Sequence, residues 1–145
     1  MNMKSIIIAL DESIYSPMIA RHGFELATSF NSRITILLIR NNEAVVNASL
    51  ANASIENNSS GAQLIEKIQE LNKIFETVEC HIIIPEGDPS EEIIRFVTKN
   101  TADLLIVGTH GRTGLDHWIN GSVAEQVIRH TTIPVLVMPY NHQAH

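Results

Sequence analysis

Five short apolar runs rich in β-branched residues recur along the chain: SIIIAL at 5–10, RITILLI at 33–39, ECHIII at 79–84, DLLIVG at 103–108 and PVLVM at 134–138. Their apolar residues are nearly continuous and do not alternate with polar ones. That pattern belongs to strands covered on both faces, as in a parallel sheet sandwiched between helices. The intervening segments carry helical spacing. Ser16-Pro17 reads as an N-cap and first-turn pair opening a helix with Ile19, Ala20, Gly23, Leu26, Ala27 and Phe30 inward. A second helix is expected from about Ala62, with Leu64, Ile65, Ile68, Leu71 and Phe75 on one stripe. In GDPSEE, Asp88 caps, Pro89 starts and Glu91 closes a capping box for a third, which carries Ile93, Ile94 and Val97. A fourth begins near Gly121 or Ser122, with Val123, Val127 and Ile128 inward.

The order is therefore β-α-β-α-β-α-β-α-β. Right-handed crossovers turn it into an α/β fold, a doubly wound five-stranded parallel sheet with helices on both faces. Such sheets bind ligands beyond the carboxyl ends of their strands, where the strand order reverses. Asp11, Ile39, Glu86 and Gly108 stand at those ends. One stretch breaks the rhythm: residues 41–62 are rich in Asn, Ser and Ala, with too few apolar residues to require a helix. They read as a flexible connection over the carboxyl edge, with at most one helical turn around Ala44–Asn47. The segment serves either as a lid or as a plain excursion. With 145 residues, the chain buries about two thirds of its unfolded surface as a single domain spanning 1–145, without repeats.

Composition closes off several classes of function. The net charge of −6, with ten scattered Lys and Arg, disfavours nucleic acid, whose binding needs clustered cations against phosphates. A small anion is still allowed, because backbone N–H groups at a helix start hold phosphate without net positive charge. The opening MNMKSIIIAL meets Asp11 and Glu12 too soon for a leader or a membrane span, so it is read as a first strand. The single Cys80, flanked by apolar residues, is read as a buried thiol. With no disulfide framework the expected compartment is the cytoplasm, where the Asn-x-Ser tripeptides at Asn47, Asn52 and Asn58 carry no meaning.

The stretch GTHGRTGLDHWINGS, from Gly108 to Ser122, lies between a strand and a helix. Its Gly108-x2-Gly111-x9-Gly121-Ser122 spacing supplies what phosphate binding needs. Glycines let the backbone approach, N–H groups turn inward, and a small hydroxyl residue opens a helix whose dipole favours negative charge. Neither the P-loop nor the dinucleotide spacing fits. On the residues alone the stretch is either a phosphate cradle or a structural loop.

This stretch resembles the G-2x-G-9x-G-(S/T) signature of the nucleotide-binding branch of the universal stress protein family. The resemblance extends to IIIALDES at the start, GDPSEEI in the middle and GSVAEQVIRH and PVLVMP at the end. It implies strand order 3-2-1-4-5, as in adenine nucleotide alpha hydrolase-like folds, and an ATP-binding regulatory protein. Asp11 would contact the adenine, Ile39 would add backbone contacts, and Ala9 would lie beside the base. Val107 and Gly108 would line the ribose side. Gly111, Gly121, Ser122 and Val123 would hold the phosphates, and Arg112 would either reach a terminal phosphate or stay solvated. The Ser122 hydroxyl would be one more donor to the phosphates or a contact for a magnesium or manganese ion brought in with them. The resemblance also implies a homodimer through fifth-strand pairing, consistent with Val135, Leu136, Val137 and Met138 on a sheet edge. A further, unidentified regulatory protein partner would read the nucleotide state.

Where relatives commonly carry leucines before the last glycine, this chain has His117-Trp118-Ile119-Asn120. Asn120 would cap the helix and Trp118 would pack or cover the rim. His110 is expected to pack within the loop. No catalytic set stands out: Asp11 and Glu12 are adjacent without a defined geometry, and neither Ser13 nor Ser122 has a recognisable base and orienter. His110, His117, His130, His142 and His145 lack metal-ligand spacing. The expectation is weak ATP hydrolysis at most. The alternatives are an interaction module of the same fold without nucleotide, and a nucleotide-dependent transferase.

Overall fold

In a computed structural model, describing residues 2–39, 60–108 and 123–139, the apolar runs become five strands. They are β1 (Ser5–Leu10), β2 (Arg33–Leu38), β3 (Cys80–Ile83), β4 (Leu104–Gly108) and β5 (Val135–Met138). The helices between them are α1 (Ser16–Phe30), α2 (Ser60–Ile74), α3 (Pro89–Lys99) and α4 (Val123–His130). The sheet is parallel throughout, in the order β3-β2-β1-β4-β5. This is the expected 3-2-1-4-5 arrangement. The chain leaves β1 toward β2 on one side and returns to β4 on the other, so the order reverses between β1 and β4.

Successive residues of β1 point to opposite faces and feed two cores. Ile6, Ile8 and Leu10 join Ile19, Ala20, Phe24 and Ala27 of α1 and Leu64, Ile68 and Leu71 of α2. Ile7 and Ala9 join Ile93 and Val97 of α3 and Ala124 and Val127 of α4. The ring of Phe24 stacks on that of Phe75, their centroids 5.6 Å apart. All residues of β1 and β4 are buried, which accounts for their unbroken apolar sequence. The edges differ: β3 alternates half-buried with exposed residues and β5 exposes Leu136 among half-buried neighbours, although their sequences read as continuous. Cys80 is accordingly half-buried, and burial pushes its thiol up to about 11, so it stays protonated and unreactive near neutrality.

Local contacts hold the sheet in register. The Asp103 carboxylate accepts the backbone N–H groups of Lys4 (2.8 Å) and Ser5 (3.0 Å), clasping the start of β1 to the start of β4. Asp88 caps α3 as expected, its Oδ2 accepting from the Ser90 hydroxyl at 2.7 Å and the Glu91 N–H at 3.1 Å. Gly23 lets α1 lie close on the sheet: a Cβ there would stand 2.2 Å from Cδ1 of Ile8.

Three helix expectations need correction. Ser16 is not the cap of α1 but its first residue; the N-cap is Tyr15, which makes no side-chain capping bond. Phe30 (46% exposed) and Ile128 (51%) do not face inward: Phe30 is the last residue of α1, past the end of its buried stripe, and Ile128 lies to one side of the buried Ala124 and Val127 on α4. The second helix begins at Ser60, ahead of the expected Ala62. Of the connection expected at 41–62, residues 60–62 belong to α2, and residues 41–59, with the turn at Ala44–Asn47, lie outside the described residues.

Candidate functional site

The carboxyl ends of β1, β2 and β4 bring together Ala9, Asp11, Ile39, Val107 and Gly108. Ala9 (2% exposed), Ile39 (5%) and Val107 (0%) belong to the core on the α3 and α4 side, and Val123, at the start of α4, packs against the same cluster. The Ile39 N–H donates to the Leu10 carbonyl at 2.8 Å, carrying the β1–β2 ladder one residue past the strands. Gly108 ends β4 on the other side of the reversal, where a Cβ would come 2.6 Å from Cδ1 of Ile19.

Asp11 follows β1 directly and organises the turn into α1. Its Oδ1 accepts the Ser13 N–H at 2.9 Å, a turn closed by an aspartate side chain. The Ser16 hydroxyl lies 2.7 Å from the Asp11 carbonyl and 3.0 Å from Oδ1, and shares its proton between them. Oδ2 is buried and has no hydrogen-bond partner among the described residues, and the same is true of Ser13 Oγ. Buried polar atoms are satisfied in the great majority of cases. Two unsatisfied ones in a single turn, at the point of strand reversal, mark a place where a ligand's polar groups would fit. Asn72 Oδ1 on α2 is likewise unpartnered, but no second such atom among the described residues accompanies it there.

Sequence reasoning singled out Asp11 but not the part played by Ser13 and Ser16. The Ser-Pro pair carried an obvious helix-start signal, and that signal hid the second use of the hydroxyl. Gly111, Arg112, Gly121 and Ser122 lie outside the described residues, together with His110, Trp118 and Asn120. No cluster of three metal-ligating side chains occurs among the described residues, and no described helix is long and apolar enough to cross a membrane.

Open hollows exist elsewhere. One of about 500 Å³ lies at the amino ends of β1 and β2, between Lys4, Phe30, Asn31, Arg33 and Glu79. Another of about 260 Å³ lies beside it, between Arg33, His81, Phe96 and Asn100. A third, of about 320 Å³, lies between α1 and β5, lined by His22, Leu26 and Leu136. None of them contains the two unsatisfied atoms, and the first two lie at the end of the sheet opposite to where such folds place ligands.

The profile of the universal stress protein family matches residues 2–139 of this chain. The chain belongs to the universal stress protein family. Universal stress protein MJ0531 of Methanocaldococcus jannaschii is 33% identical over 140 residues, an alignment covering 93% of this chain and 81% of that one. Among solved structures, universal stress protein MJ0577 of the same organism is 25% identical, with a TM-score of 0.75 over 99% of this chain and 100% of its own. A universal stress protein in complex with cAMP superposes with a TM-score of 0.71 at 17% identity, covering 96% of this chain and 98% of that one. That last likeness establishes the shared fold.

Proposed function

We propose that this universal stress protein binds an adenine nucleotide, ATP foremost, at the carboxyl edge between β1 and β4, and that occupancy changes the surface it offers to a protein partner. The observation that carries the reading is the buried, unpartnered Asp11 Oδ2. It stands one residue beyond β1 in the same chain as a glycine spacing suited to phosphate. In this reading Asp11 and the backbone at Ile39 meet the base, with Ala9 beside it, and Val107 and Gly108 flank the ribose. Gly111, Gly121, Ser122 and Val123 cradle the phosphates, with Arg112 within reach of the last one. The cAMP complex of a relative with the same fold supports the choice of nucleotide class. A magnesium or manganese ion would travel with the phosphates and reduce their mutual repulsion.

The protein works as a single domain and as a cytoplasmic homodimer joined through β5, in the stress response for which its family is named. Its exposed strand edge, with Leu136 39% accessible, supports that association. In this reading any ATP hydrolysis is slow and incidental to binding.

A thermal melt with and without magnesium ATP tests the proposal. Ligand at a hundred times its Kd stabilises by about 2.7 kcal/mol, which raises Tm by roughly 5–10 °C in a chain of this size. An unchanged Tm at millimolar ATP, in protein shown to be free of retained nucleotide, would reject it.

A further inference from the structure

Building on the nucleotide reading, we propose that Ser16 is a positioning residue. It locks the Asp11 carboxylate so that Oδ2 alone meets the ligand, and the site therefore selects a base edge that donates a hydrogen bond over one that accepts.

The hydroxyl of Ser16, whose residue is 1% exposed, touches the same aspartate twice, at the backbone carbonyl and at Oδ1. Together with the Ser13 N–H it surrounds Oδ1 with donors and removes the side chain's freedom to exchange its two oxygens. Oδ2 is left buried without a donor among the described residues. A carboxylate only accepts, so the ligand must bring the proton. Adenine has a donor in its 6-amino group; hypoxanthine, with a carbonyl at the same place, would set two acceptors against each other. The unpartnered Ser13 hydroxyl does not discriminate, because it rotates to give or to accept. Discrimination falls to Oδ2, and its orientation falls to Ser16. If the Ser16 contacts served only to shape the turn, base preference would not depend on them.

The test is titration of the full-length chain with ATP and with ITP, in which the 6-amino donor is replaced by a carbonyl and N1 gains a hydrogen; Oδ2 set against the 6-position meets a donor in the first and an acceptor in the second. Wild-type protein is expected to favour ATP by roughly ten-fold or more. Ser16→Ala should shrink that ratio, and Ser16→Thr, which keeps the hydroxyl, should restore it. Asp11→Asn, nearly identical in shape, would keep its carbonyl oxygen against the two Oδ1 donors and place an NH2 donor where Oδ2 stood. Its preference should move toward ITP, an outcome that loss of folding could not imitate. Equal ATP-to-ITP ratios in wild type, Ser16→Ala and Asp11→Asn would overturn the inference while leaving nucleotide binding in place. Wild-type protein that binds both nucleotides equally well would do the same. Binding of neither by wild type would overturn the nucleotide reading, and this inference with it.

Discussion

Replacing Gly23 with alanine tests whether the close seating of α1, which carries the Asp11 turn at its head, is fixed by packing. The added Cβ would lie 2.2 Å from Cδ1 and 3.2 Å from Cγ1 of Ile8, more than 1 Å inside an ordinary contact. Ile8 is fully buried at 0% exposure and enclosed by α1, α2 and the neighbouring strands, so its terminal methyl cannot simply swing into open space. Overpacking of this kind costs about 1–3 kcal/mol. Exchanging a mid-helix glycine for alanine returns about 1 kcal/mol of helix propensity, so Gly23→Ala is expected to lose about 1 kcal/mol net. Ile8→Val alone removes the offending methyl and leaves a small void, at about 0.5–1.5 kcal/mol. In the double variant the alanine methyl occupies that void. Its stability should therefore exceed the additive expectation by at least about 1 kcal/mol, within the range for side chains in contact. Urea unfolding of the four proteins gives the coupling directly. Additivity to within about 0.5 kcal/mol, or a Gly23→Ala variant more stable than wild type, would refute the claim that Ile8 is held in place.

Further outcomes follow from the edges and caps. The proposed dimer is best probed at Leu136, because Val135 and Val137 pack against the core and a charge at either would damage the fold as well as the proposed interface. Leu136→Lys should yield a folded monomer by light scattering, and a folded dimer would reject β5 pairing. The Asp88 carboxyl is held below the usual carboxylate range by the Ser90 hydroxyl and then the Glu91 N–H, so its contribution is present above about pH 4 and is lost as pH falls through its folded pKa. Asp88→Asn should thus be less stable than wild type at pH 7, with the gap closing below about pH 4. A gap that stays constant down to pH 2.5 in urea melts would contradict the charged cap.

The strands were legible because burial on both faces of β1 and β4 leaves a plain mark, an unbroken run of Ile, Leu and Val. At β5 the same mark misleads. Val135-Leu136-Val137 is continuous in sequence, yet Leu136 is exposed in the hollow beside α1, where the helix does not cover the edge strand. Helical spacing locates the stripes but not where their burial ends: Leu64, Ile68 and Val127 are buried as expected, whereas Phe30 at the last turn of α1 and Ile128 at the side of the α4 stripe are exposed. Spacing says which residues share a face and not how much of that face the sheet covers.

At the site, Asp11 was readable from its place after the first strand. The Ser16 contact was not, because a hydroxyl before proline signals a cap locally, whereas the competing acceptor is a carboxylate five residues back. The close approach at Gly23 left no trace in the sequence beyond the glycine itself. The expectations for Gly111, Arg112, Gly121 and Ser122 rest on their spacing and on family membership.

Equilibrium titration of labelled ATP against wild-type protein and Gly121→Val tests the central claim most directly. Saturable binding of one nucleotide per chain, competed by unlabelled ATP and lost when a branched side chain fills the phosphate space of a still-folded variant, is the predicted result. Absence of saturable binding by wild-type protein, or wild-type affinity in folded Gly121→Val, would contradict it.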